Sequence, residues 1–114
     1  MRIQERSLGT VTVLRLEGRL TANDQPGLLK RAVEDIIRRN VKDIVIDLSG
    51  VEYVDSTRLG ELIAAHITIA RVSGRLKLSG VPPRVLELLR LSGLDRVFHR
   101  SDTVEEASTS LQAK

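Results

Sequence analysis

The chain has 114 residues, a formal net charge of +3 and no cysteine. That length predicts one domain spanning residues 1–114, and the lack of cysteine excludes a disulfide framework, thiolate chemistry and a cysteine-ligated metal. Only 2% of residues are aromatic and the basic ones are scattered, which argues against nucleic-acid binding; no apolar run of about 18 residues or leader pattern occurs, which points to a cytoplasmic chain without membrane insertion.

Residues 2–17 read as a hairpin. Arg2 to Ser7 is mostly polar and suits an edge strand, and Leu8-Gly9 signals the turn. Val11, Val13, Leu14 and Leu16 then make a stronger strand. Beyond Gly18-Arg19-Leu20, the residues Thr21, Asn23 and Asp24 each offer a helix cap, and Pro26 suits a first helical turn. Leu29, Ala32, Val33, Ile36 and Ile37 fill the apolar template of a helix, which Arg38 and Arg39 close and Asn40 stops.

Asp43 to Leu48 is predicted as the central strand. It is dense in β-branched residues, as a strand covered on both faces should be. A short loop follows, and a helix opens at Asp55-Ser56. Leu59, Leu62, Ile63, His66, Ile67 and Ala70 mark one face of that helix, and Ser73-Gly74 ends it. Arg75-Leu76-Lys77-Leu78 alternates as a strand does. Gly80-Val81-Pro82-Pro83 turns into a third helix with Val85, Leu86, Leu88, Leu89 and Leu91 on its apolar side. Val97-Phe98 is predicted as a short last strand. Ser101-Asp102-Thr103 caps a final helix with Ala107 and Leu111 facing inward. Three later strands each follow a helix, so right-handed crossovers make them parallel, beside an antiparallel N-terminal hairpin. The expected class is α/β.

Few residues carry candidate chemistry. A hydroxyl at Ser56 would lie at the positive end of a helix dipole, where a phosphate is tolerated. Asp55 is read as a cap or as a residue that holds the loop or orients a kinase, and Thr57 as a cap in preference to a second phosphosite. Asp47, Glu52 and Asp55 do not form the carboxylate set a Mg²⁺ site wants. His66 and His99 have no zinc spacing. No phosphate loop of the Walker type occurs, so no cofactor is expected and ATP would come from a partner. No catalytic arrangement is visible, and the chain is expected not to be an enzyme.

The stretch Asp47-Leu48-Ser49-Gly50-Val51-Glu52-Tyr53-Val54-Asp55-Ser56-Thr57-Arg58-Leu59-Gly60 resembles the signature of the STAS family, the anti-sigma factor antagonists. Leu91-Ser92-Gly93-Leu94-Asp95-Arg96-Val97-Phe98 is a second match at the right distance. The resemblance implies the STAS fold, a small mixed sheet with about four helices packed mainly on one side. It implies a non-enzymatic partner-switching regulator that binds an anti-sigma factor of the serine-kinase type and is switched by phosphorylation at Ser56. The implied binding face comprises Thr21, Asn23, Asp24, Asp55, Thr57, Arg58, Gly60 and Glu61. The alternative is a constitutive scaffold of the same fold, serving a transporter, lipid-transport or stress-signalling assembly without a phosphoswitch. The oligomeric state stays open between monomer and weak dimer. Two residues depart from the family pattern. Arg58 stands where Gly is usual and puts a cation at the partner-facing spot, where it is expected to pair with a phosphate on Ser56, to obstruct the usual kinase or, in a constitutive scaffold, to shape a partner surface. Thr21 stands where the regulators often carry an acid.

Overall fold

The computed structural model describes residues 1–21 and 27–112. Its elements are β1 (Arg2–Leu8), β2 (Val11–Leu20), α1 (Leu28–Arg38), β3 (Asp43–Val54), α2 (Ser56–Arg71), β4 (Arg75–Ser79), α3 (Pro83–Leu91), β5 (His99–Ser101) and α4 (Val104–Gln112). The strands form one five-stranded sheet in the order β1-β2-β3-β4-β5. β1 pairs antiparallel with β2, and every later neighbour is parallel. The mixed α/β class and the antiparallel edge hairpin follow the expectation.

Alternation in the central strand sorts the core into two layers. Ile44, Ile46 and Leu48 join Leu14, Leu16, Leu76 and Leu78 beneath α1, α2 and α3. Val45 points the other way and joins Val11 and Val13 beneath Val104, Ala107 and Leu111 of α4. Ile44, Val45 and Ile46 are all fully buried, so β3 is covered on both faces. The larger core is on the three-helix side, and its aliphatic make-up follows from the near absence of aromatics.

The structure corrects several boundaries. β3 does not stop at Leu48 but runs on to Val54, so the expected loop after it is strand. That extension pairs with the end of β2, Arg19 opposite Tyr53 and Leu20 opposite Val54, after two irregularities in β2. The second lies at Gly18, whose φ of 93° suits a residue without a Cβ. The last strand is His99–Ser101, not Val97-Phe98. Phe98 is a buried core residue, edge-on to His66 at 5.6 Å. The buried face of α2 is Leu59, Leu62, Ala65 and Ile69, so Ile67 and Ala70, expected inside, are exposed. Leu91, also expected inside, is 79% exposed. The predicted caps of α1 at Asn23 and Asp24, and Pro26, lie outside the described residues. Asn40 adopts the left-handed conformation expected of a helix stop, with φ 66°.

Candidate functional site at the β3–α2 junction

The long β3 delivers the chain directly into α2. The backbone N–H of Asp55 donates to the carbonyl of Leu20 at 3.0 Å, so the end of β2 holds the helix entry in place. Asp55 is the N-cap: its Oδ1 accepts from the backbone N–H of Arg58 at 2.8 Å. This satisfies one of the orphan donors of the first turn. Ser56 is the first helical residue, and its side chain is exposed. Among the described residues the Ser56 hydroxyl has no hydrogen-bond partner. Thr57 is exposed one residue later, inside the helix, and does not cap it; the capping role read for it belongs to Asp55 alone.

Arg58 departs most from expectation. The cation does not stand over a partner-facing spot; the residue is only 2% exposed. Its Nε donates to the carbonyl of Thr21 at 2.8 Å, and its guanidinium forms an ion pair with Glu61 one turn along. The other Glu61 oxygen accepts from the backbone N–H of Gly27 at 3.2 Å. Arg58 and Glu61 therefore fasten the end of β2 and the start of α1 to the first turns of α2. A buried cation is tolerated near the positive end of a helix only when carbonyl and carboxylate oxygens surround it, and here they do. Gly60 is exposed, and a Cβ placed there would meet nothing within 4 Å. The fold does not require glycine at this position.

Thr21, Asp55, Ser56, Thr57, Arg58 and Glu61 thus share one corner of the molecule, and Gly60 lies on the same helix start. Asn23 and Asp24, named with them from the sequence, lie outside the described residues. The structure adds residues that sequence reading missed. A groove of about 490 Å³ runs from Ser56 to α3, lined on one side by Tyr53, Val54 and Asp55 and on the other by Arg84, Val85 and Leu88. Tyr53 is 42% exposed, and the Arg19 guanidinium lies 5.0 Å from its ring centre. No spacing in the sequence links α3 to Ser56. Their meeting depends on how α3 crosses β3.

Asp47 and Asp55, two of the three carboxylates considered for a cation, have other work. Asp47 accepts from Arg15 at 3.1 Å and from the backbone N–H of Ser49 at 3.0 Å, and Arg15 also donates to Ser49 Oγ at 2.7 Å. Hydrogen bonds to Glu17 first, and then to Asp47, hold the Arg15 guanidinium above its ordinary pKa. Glu52 is exposed on the same strand. Among the described residues no group of three or more candidate ligands converges on a metal position. None of the described helices is long and apolar enough to cross a membrane.

Comparison with known proteins agrees with this architecture. The family profile described as "Mlab, STAS domain" matches residues 3–104. The anti-sigma F factor antagonist of Paenibacillus polymyxa is 29% identical over 102 residues, covering 90% of this chain and 87% of that one. Among solved structures, an anti-sigma factor antagonist from Mycobacterium paratuberculosis superposes with a TM-score of 0.85 at 24% identity, covering 98% of this chain and 94% of the other. The Bacillus cell fate determinant SpoIIAA in its phosphorylated form superposes with a TM-score of 0.74 at 20% identity, covering 97% and 100%. At these identities the two superpositions speak to the fold.

Proposed function

We propose that this chain, which belongs to the STAS domain family, acts as an anti-sigma factor antagonist whose binding is switched by phosphate on Ser56. In this reading the unmodified protein binds an anti-sigma factor of the serine-kinase type through the β3–α2 corner. Thr21, Asp55, Thr57, Gly60 and Glu61 belong to the contact face around Ser56. Arg58 supports that face from beneath. The partner supplies ATP, and this chain takes part as a substrate and binding module, not as an enzyme.

One observation carries the reading: the exposed hydroxyl of Ser56, unengaged among the described residues, at the first position of α2, directly after its capping Asp55. A kinase can reach that oxygen without unfolding anything. A phosphate there adds roughly −1.5 to −2 charges beside free N–H groups, which tolerate it. A partner surface fitted to a neutral hydroxyl would instead meet a dianion, so affinity changes while the fold stays.

The test is a phosphorylation and release assay with the cognate kinase-type anti-sigma factor and ATP. Label is expected on Ser56, with release of the partner. Ser56→Ala is expected to bind and not be released. Because Ser56 is not the cap, its replacement should cost less than the roughly 1 kcal/mol of a lost cap. Release of the Ser56→Ala complex by ATP would overturn the switch. Retained binding with no label on the wild type would favour a constitutive interaction domain.

A further inference from the structure

We propose that Arg84, and not Arg58, is the counter-ion of a phosphate on Ser56. The inference rests on the reading of Ser56 as a phosphorylation site and assigns the residue that answers the phosphate.

The sequence made Arg58 the obvious candidate, two residues away on the same helix. The structure removes it. The Arg58 guanidinium is buried and engaged by the Thr21 carbonyl and by Glu61. Turning it toward Ser56 would strip the ion-pair partner from Glu61 and break the tie to β2. A partly buried pair resists such an exchange, because each abandoned group keeps its desolvation cost.

Arg84 has no such commitment. It is exposed at the start of α3, and it makes no hydrogen bond or ion pair with any described residue. It lines the same groove as Ser56. A long flexible side chain facing a dianion across a groove gains charge-assisted hydrogen bonds without giving up others. The groove's carboxylates do not compete for the cation as a phosphate would. Asp55 is held by the Arg58 backbone N–H. Glu87, one turn beyond Arg84, forms no ion pair with it and carries one charge against the phosphate's two. Arg19, which lies over Tyr53 of the same groove, has its guanidinium spent on the face of that ring.

The assignment has a mechanical corollary. A guanidinium drawn from α3 to Ser56 crosses the mouth of the groove and covers the apolar wall formed by Tyr53, Val85 and Leu88. Phosphorylation then alters the shape offered to a partner as well as its charge.

The deciding experiment installs phosphoserine at position 56 during translation, so that no kinase is needed. The phosphate is then titrated by ³¹P NMR in the otherwise wild-type protein and in Arg84→Gln, Arg84→Lys and Arg19→Gln. A nearby cation favours the dianion, so the wild-type midpoint should lie about 0.5 unit or more below that of Arg84→Gln. Arg84→Lys should restore most of the difference, and Arg19→Gln should leave the wild-type midpoint unchanged. Equal midpoints in the wild type and Arg84→Gln, or a rise in Arg19→Gln instead, would overturn the assignment. Because the phosphoserine is installed during translation, these outcomes do not depend on whether a kinase modifies Ser56. Failure of the kinase assay on the unmodified protein counts against the switch, whereas equal midpoints count against Arg84.

Discussion

Arg58 shows how one residue can change meaning between a sequence and a fold. As a cation in the first turn of a helix it should be mildly unfavourable, by a few tenths of a kcal/mol. Its contacts outweigh that. It joins the carbonyl of Thr21 to Glu61, and Glu61 in turn holds the backbone N–H of Gly27. Arg58→Ala removes the ion and leaves two acceptors facing a void. Since Glu61 keeps some access to solvent, the loss should be below the range for a fully buried pair, about 2–3 kcal/mol. Urea denaturation measures it directly. A midpoint near wild type would mean that the buried pair adds nothing to stability. The same variant tests the supporting role, because it should weaken partner binding even though Arg58 is not itself on the surface.

At the scale of elements, α2 is a helix with one ill-suited residue. Gly60 is inside it, exposed, with open space where a Cβ would go. Glycine in a helix interior costs roughly 0.5–1 kcal/mol relative to alanine. Gly60→Ala should therefore stabilise the protein by about that much, read as a higher urea midpoint, while lowering affinity for the anti-sigma partner if the backbone there is approached closely. A lower midpoint would show that the glycine is required by the fold after all. The elements also show what local sequence could reveal. The Asp55 cap and the start of α2 were legible, because capping chemistry is settled within a few residues. Strand β3 was legible only as far as Leu48. Ser49-Gly50 interrupts its strand character before Val51, Tyr53 and Val54, and pairing with the bulged end of β2 carries the strand through the interruption. Val97-Phe98 has the composition of a strand, but Phe98 is taken by the core, and the polar His99–Ser101 pairs with β4 instead. The Arg58–Thr21 contact joins positions 37 residues apart, and the groove joins α3 to Ser56. Neither follows any periodicity.

Taken as a whole, the described residues make a sheet with unequal covers: α1, α2, α3 and most of the core on one face, α4 on the other. Ile46 lies at the centre of the larger layer and is fully buried. Ile46→Ala should cost about 2–5 kcal/mol, with the spread set by how far α1 and α2 can settle into the cavity. A denaturation midpoint close to wild type would contradict that central position. An aliphatic core of this kind also leaves the protein almost dark in the near ultraviolet. The chain has no tryptophan and a single tyrosine. That tyrosine, Tyr53, lies on the groove that starts at Ser56, half-exposed beneath Arg19. The protein thus carries one intrinsic fluorophore at the corner where binding and phosphorylation are proposed to act. Quenching or recovery of its emission can be followed against a partner that lacks signal in that window, without attaching a dye.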